Sequence, residues 1–296
     1  RCMGDAIATR GRAGFGVWHD AAGIGLAHRR LAVLELSEAG HQPMVSACGR
    51  YVIAFNGEIY NHLALRKELD RHASLAMTGG GESVATNSAR HCEEAEPTRQ
   101  SSAALAEQPP PLDRHGPAAL AMPEEDDRSA AAQPTRQSSG LRWRGHSDTE
   151  TLLAGFTAWG IRATLQRCVG MFAIAVWDRA ERVLTLGRDR LGEKPLYYGW
   201  QGQGDGACFL FGSELSALKA HPAFAAGIDR DALCLLMRHN YIPAPHSIYQ
   251  GIHKLPPGHL LTVSLARREP MLDQYWSLPA VAEAGVARPF VGTDVQ

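Results

Sequence analysis

The sequence predicts a layered α+β fold, and three observations carry that prediction. Its strand-like and helix-like stretches are grouped rather than strictly alternating, which points away from a doubly wound parallel sheet. The apolar run Met171 to Trp177, the polar turn Asp178 to Glu181 and the alternating run Arg182 to Leu186 read as a hairpin whose first strand is buried on both faces. Ser147 and Glu150 form an S-x-x-E capping box ahead of Leu152, Leu153, Phe156 and Trp159, with Gly160 as the stop of that helix.

The remaining elements follow in chain order. Tyr51 to Phe55 is a β-rich run that enters Asn56-Gly57, a turn pair, after which Asn61 caps a helix carrying Leu63, Leu65 and Leu69. Leu196 to Trp200 and Cys208 to Phe211 are aromatic-rich strands. Ser213 opens a helix through Leu215 and Leu218 that ends before Pro222, and Asp229 caps another over Asp231 to Met237. Leu260 to Leu265, after Pro256-Pro257-Gly258, is a further strand.

Residues 16 to 70 and 143 to 275 read as compact structure. The stretch from His72 to Leu141 is poor in large apolar residues, carries Pro109-Pro110-Pro111, and contains Pro-Thr-Arg-Gln-Ser-Ser twice, at Pro97 to Ser102 and Pro134 to Ser139. Such a composition cannot bury enough surface to offset ordering entropy, so residues 72–141 are expected to be a disordered insertion looping from a surface turn. Two copies without a sustained period do not make a solenoid.

At 296 residues and 45% hydrophobic, the chain is long enough for one large domain or two small ones. A net charge of −1, with no isolated Lys/Arg cluster, argues against a nucleic-acid surface and suits an enzyme acting on a small molecule. Six scattered cysteines without C-x-x-C spacing argue against both a zinc site and a small disulfide scaffold and read as reduced thiols. Neither a membrane-length apolar run nor a signal-peptide h-region is present, so a cytoplasmic location without membrane partners is expected.

Three segments are richer in polar and glycine residues than a core needs: Ala27 to Leu31, Asn56 to Asn61 and Gly145 to Asp148. Together they offer a guanidinium, an amide, free backbone N–H groups and two carboxylates at element ends, a set that suits an amino-acid ligand. Singly, each has an ordinary explanation: a hairpin turn at Asn56-Gly57, a first-turn acid at Asp148, a surface cation at Arg30. His28, His41 and His146 have no metal-ligand spacing, so no metal site is expected.

Read together, the segments resemble the class II, N-terminal-nucleophile glutamine amidotransferase domain in the form that opens glutamine-hydrolysing asparagine synthetases. The likeness runs through Ala27-His28-Arg29-Arg30-Leu31-Ala32-Val33, Leu36 to Met44, Phe55-Asn56-Gly57-Glu58-Ile59-Tyr60-Asn61, Ser147-Asp148-Thr149-Glu150, Gly170-Met171-Phe172, Arg188 to Tyr198 and Lys254 to His259, in the family's order. The resemblance implies a four-layer αββα sandwich, here lacking its first strand. That domain would be discontinuous over residues 1–71 and 142–276, with 277–296 starting a linker to a missing synthetase domain.

For the site, the resemblance implies that Arg30 grips the glutamine α-carboxylate and Asp148 its α-ammonium. Asn56 and the Gly57 N–H would form the oxyanion hole, with Glu58 and the backbone of Leu31, Ala32, Val33 and Leu34 completing the glutamine site. It further implies a homodimer, with ATP and Mg2+ handled by the missing domain. The family's nucleophile is a terminal cysteine whose own amine is the base. Here Arg1 carries the free amine, Cys2 reads as a half-buried thiol, and processing or truncation is expected to have set this start. The segment Thr9-Arg10-Gly11-Arg12-Ala13 departs from the family's H-R-G-P-D turn, and no S-G-G-x-D-S loop for pyrophosphate occurs. The chain alone is therefore expected to be inactive. The rival readings are a non-catalytic glutamine-binding module or gene remnant, and another class II amidotransferase.

Overall fold

The computed structural model describes residues 2–31, 35–78 and 141–288. In chain order its strands are β1 (Gly14–His19), β2 (Gly25–Arg30), β3 (Met44–Val45), β4 (Tyr51–Ile59), β5 (Gly170–Asp178), β6 (Val183–Arg188), β7 (Tyr197–Gln201), β8 (Cys208–Gly212), β9 (His253–Lys254), β10 (His259–Ser264) and β11 (Met271–Gln274). Its helices are α1 (Cys2–Asp5), α2 (His62–Thr78), α3 (Asp148–Trp159), α4 (Ile161–Arg167), α5 (Leu215–Lys219), α6 (Arg230–His239) and α7 (Leu278–Ala287).

Four layers result, in the order helix, sheet, sheet, helix. The first sheet is antiparallel, with strand order β11-β10-β6-β5-β4-β3. One face of it, Ile53, Phe55, Phe172, Ile174 and Val176, packs under Leu65 of α2, Leu152, Leu153 and Phe156 of α3, and Leu165 of α4. The opposite face, Val52, Ala173, Ala175, Trp177 and Leu186, packs on the second β layer through Leu26, Trp18, Tyr198 and Phe211. Outside that layer, Leu210 and Ile252 are covered by Leu218 of α5, Met3 of α1 and Ile7 just after it. Because side chains alternate along a strand, β5 feeds both interfaces, which is why Met171 to Trp177 is apolar without interruption.

The second β layer is in two pieces, β1-β2 and β8-β7-β9, which share no strand pairing. The α+β expectation and the sandwich order are both present.

Several local readings change. Asn56-Gly57 makes no turn: β4 runs straight through it, paired with β5 from Tyr51↔Asp178 to Ile59↔Gly170. Asn61 does not cap α2 with its side chain. Its Oδ1 accepts from Val169 N–H at 2.9 Å and its amide donates to the Arg167 carbonyl at 2.9 Å, fastening α2 to the start of β5. Within α2 the inward face is Leu65 and Leu69, whereas Leu63 is exposed. Ser147 caps α3 by accepting from Thr149 N–H at 3.1 Å, but Glu150 reaches past the cap to accept from the N–H groups of Arg144 (2.8 Å) and Gly145 (3.2 Å). Asp229 caps α6 as expected, through Asp231 and Ala232 N–H.

The helix α2 continues to Thr78, so residues 72–78 of the stretch expected to be disordered are helical; helical hydrogen bonding carries the chain on past its last buried leucine. Most of that insertion, 79–140, lies outside the described residues. After residue 277 the chain forms α7, capped by Ser277, whose Leu278, Val281 and Val286 are exposed. Among the described residues no helix is long and apolar enough to cross a membrane.

Candidate functional site

The site forms where β4 meets the gap in the second β layer. Ile53, Phe55 and Ile59 belong to the helix-side core, and Val52 and Ala54 face the second sheet. The period of two therefore turns Asn56 and Glu58 toward the second layer. There, with Arg30, Leu31, Gly57 and Asp148, they line a cavity of about 1070 Å³. These six sequence-derived residues thus share one cavity. Ala32, Val33 and Leu34 lie outside the described residues.

Gly57 is there because the strands touch. A Cβ on it would stand 2.1 Å from the Met171 carbonyl oxygen and 2.7 Å from the Phe172 Cα, and its φ of +155° is disfavoured for L side chains. This close approach, not a turn, explains the glycine. The Asn56 amide donates to the Ser213 hydroxyl at 3.1 Å, which ties β4 to the segment between β8 and α5. Ser213 thus braces the amide instead of starting the helix, and Glu214 is the residue that precedes α5.

Asp148 is the buried first residue of α3. One carboxylate oxygen accepts from Ile59 N–H at 3.0 Å and the other from Thr149 N–H at 2.8 Å. Burial pushes its pKa up, and the two N–H bonds partly oppose this. Nearby His62 is held below the usual histidine range, first by burial, while Asp148 draws it upward; its buried Nδ1 has no hydrogen-bond partner.

Arg30 ends β2 and is not a free cation. Its guanidinium donates to the Ser37 carbonyl at 3.0 Å and closely to the Glu35 carbonyl. A side chain at Gly40 would strike it, since a Cβ there would be 2.3 Å from Nη2. Leu31, next along, is 69% exposed and presents backbone rather than packing. His28 in the middle of β2 is pushed down to about 4 by burial, then by the Arg30 and His41 charges, so it is neutral at neutral pH.

Three residues that the sequence reading overlooked hold these parts together. Glu35 accepts from Ser37 Oγ (2.6 Å), Ser37 N–H (3.0 Å) and His146 N–H (2.9 Å), bonds that pull it down to about 2 and clamp the Arg30 loop to the Asp148 loop. Gln42 accepts from Phe55 N–H at 2.7 Å and donates to Thr149 Oγ1 at 3.4 Å, linking β4 to α3. Arg66 donates to Thr151 Oγ1 (2.8 Å), the Gly145 carbonyl (2.7 Å) and the Ser147 carbonyl (2.7 Å), while stacking on Trp143. Glu35 and Gln42 lie within or beside the motif run from Ala27 to Met44, but their partners are distant in sequence and nothing local announces the pairing. Arg66 falls on the polar positions of an amphipathic helix and reads as solvated.

Cys2 is exposed rather than half-buried, and it lies in α1. Among the described residues there is no group of three or more His, Cys, Asp or Glu that could hold a metal ion. To the cavity wall the residues singled out in the sequence contribute one guanidinium, two carboxylates and a braced amide, beside further charged groups from Arg10, Arg29, Glu35, Glu193, Lys194 and Glu214.

A glutamine amidotransferase domain model matches residues 1–91 and 132–276. Asparagine synthetase [glutamine-hydrolyzing] 3 of Bacillus subtilis is 30% identical over 88% of this chain and 31% of its own length. A putative asparagine synthetase [glutamine-hydrolyzing] 2 of Methanocaldococcus jannaschii is 27% identical over 86% of this chain and 38% of its own. The chain spans about a third of the length of these curated relatives. Among solved structures, the glutamine phosphoribosylpyrophosphate amidotransferase of B. subtilis, complexed with ADP and GMP, covers 86% of this chain and 35% of its own at 14% identity, with a TM-score of 0.42.

Proposed function

The chain belongs to the glutamine amidotransferase domain family, and from that premise we propose that it is the glutaminase part of a glutamine-dependent asparagine synthetase. The observation that carries the reading is the meeting of Arg30, Asn56, Glu58 and Asp148 on one cavity wall. The whole enzyme's reaction would convert ATP, aspartate and glutamine to asparagine, glutamate, AMP and diphosphate, with the ATP and Mg2+ steps in the synthetase part.

In this reading Asp148 takes the glutamine α-ammonium. Its buried carboxylate is costly to ionise alone, and a bound cation offsets that cost. Arg30 takes the α-carboxylate with the N–H groups that it does not spend on Glu35 and Ser37. Glu58 adds negative charge beside the ammonium, and the backbone of residues 31–34 completes the wall. Asn56 and the Gly57 N–H supply donors for the oxygen that becomes negative when the carboxamide is attacked, an effect worth about 3–4 kcal/mol per donor in other amide-cleaving sites. Ser213 keeps the Asn56 amide oriented. The attacking group would be a terminal cysteine bearing its own amine, a role that the exposed Cys2 in α1 does not fill. Residues 1–71 and 142–276 form the amidotransferase domain, with 72–141 inserted and 277–296 beginning the linker. A homodimer in the cytoplasm belongs to the same reading.

Calorimetric titration with glutamine, alongside an ammonia assay, tests this. Binding is expected to weaken at least tenfold in Asp148→Asn, about 1.4 kcal/mol, at a temperature where both proteins are folded, since the buried carboxylate also accepts from Ile59 and Thr149 N–H. Equal binding by both proteins, or no heat from the parent chain, would sink the assignment of the site. Steady ammonia release would show that the chain carries its own nucleophile.

A further inference from the structure

The first residue of α2, His62, stands behind the wall that carries Asp148. Two links place it there. Just before it in the chain, Ile59 N–H donates to the Asp148 carboxylate at 3.0 Å. One turn after it, on the same helical face, Arg66 donates to the Gly145 and Ser147 carbonyls, each at 2.7 Å. The side chain between these links therefore faces the step from Ser147 to Asp148 that opens α3. Asp148 and Glu58 line the cavity, whereas His62 does not. Its ring is half-buried, and its Nδ1, shut off from solvent, has no hydrogen-bond partner among the described residues.

A buried ring nitrogen ordinarily finds a partner, so this one calls for a reason. The charges that act on His62 are Asp148 of α3 and Glu58 of β4, which favour its protonated form, and Arg66 of its own helix, which opposes it. Other charges on the surrounding elements are committed elsewhere. Glu150 accepts from Arg144 and Gly145 N–H, and Glu35 from Ser37 and His146 N–H. Arg167, whose carbonyl holds Asn61 at the end of α4, bonds the Ala163 carbonyl and lies over the Trp159 ring. The two carboxylates that would meet a ligand ammonium from the cavity are thus the same two that meet His62 from behind.

We propose that His62 is a positioning residue for the ligand's α-ammonium, acting through Asp148 and Glu58. Neutral, it leaves both carboxylates to the ligand; protonated, it is a rival cation for them. The inference rests on the assignment of Asp148 to the ammonium and adds a pH dependence to it. The sign follows from linkage. Burial holds His62 below its ordinary 6.5, so it is neutral at neutral pH and gains its proton only as pH falls beneath that value. Glutamine binding weakens over the same interval. Reciprocally, bound glutamine makes His62 harder to protonate by the same factor.

The test uses the full chain and glutamine. Calorimetric affinities are measured from about pH 7.5 down to about pH 5.5, a span that brackets an ordinary histidine, for the parent and for His62→Gln. The loss of affinity on acidification should be at least about threefold larger in the parent, because any titration of Asp148 itself is common to both proteins. Carbon–proton NMR of the histidine rings reads His62 directly, its signal identified by its disappearance in His62→Gln. Its midpoint should fall by about half a pH unit, the equivalent of that threefold factor, when glutamine saturates the site. It should fall likewise in Asp148→Asn, and Glu58→Gln takes that place if Asp148→Asn does not fold. Parallel affinity profiles in parent and variant, or a His62 midpoint that neither glutamine nor the loss of a carboxylate moves, would overturn this inference alone. A parent that binds no glutamine at any pH would overturn the site assignment and this inference with it.

Discussion

Replacing Arg66 by methionine should cost about 3–5 kcal/mol of stability, although a mid-helix arginine ordinarily reads as a solvated one. Arg66 is 8% exposed, and three of its donors reach oxygens at 2.7–2.8 Å. Two of those oxygens are carbonyls of the loop that delivers Ser147 and Asp148. Losing charged donors from buried carbonyls costs about 1.5–3 kcal/mol each, and the contact with the Trp143 ring adds about 1 kcal/mol. Water entry and the methionine's own burial return part of this, hence the lower figure. Its contact with Glu150 is long, at 3.5 Å, while the Glu150 carboxylate has closer partners in the N–H groups of Arg144 and Gly145. The ion pair is therefore the minor part. Urea unfolding of the parent, Arg66→Met, Glu150→Gln and the double variant measures both quantities, with a coupling of about 1 kcal/mol or less expected. A loss under 1 kcal/mol for Arg66→Met, or a coupling that accounts for most of the loss, would refute the reasoning. Glutamine affinity should fall as well in Arg66→Met, because the loop holding Asp148 loses its anchor.

Other outcomes follow from the same geometry. Gly57→Ala places a methyl 2.1 Å from the Met171 oxygen and should destabilise by at least about 3 kcal/mol in denaturant unfolding, or prevent folding. Asp189, fully buried, accepts from the N–H groups of Phe172, Leu191, Glu193 and Lys194, so Asp189→Asn should cost about 2–4 kcal/mol and lower the melting temperature. His28, with a folded pKa near 4 against 6.5, binds fewer protons folded than unfolded between those values. Its contribution is thus present above about pH 6.5 and lost as pH falls toward 4, on the order of 1–3 kcal/mol. His28→Gln should flatten that part of the stability curve, and an unchanged slope would show that His28 is not the group responsible.

The parts of this protein legible in the sequence are those with local causes. The capped helices at Ser147 and Asp229, the hairpin of β5 and β6, and the layered class follow from side-chain period and from short-range donors and acceptors, which act within a few residues. Polar residues clustered at element ends likewise marked the wall of the cavity, since Arg30, Asn56, Gly57, Glu58 and Asp148 meet there. Only the tertiary structure decided what those residues are bonded to. Asn56-Gly57 has the composition of a turn, but pairing with β5 makes it a straight strand, because many ladder bonds outweigh a two-residue preference. Ser213 and Asn61 look like caps, yet each spends its side chain on a partner more than a hundred residues away, Ser213 on Asn56 and Asn61 on Arg167 and Val169. Glu35, Gln42 and Arg66 became visible as organisers of the site only once distant loops were side by side, since a hydrogen bond is read from distance in space and leaves no period in the chain.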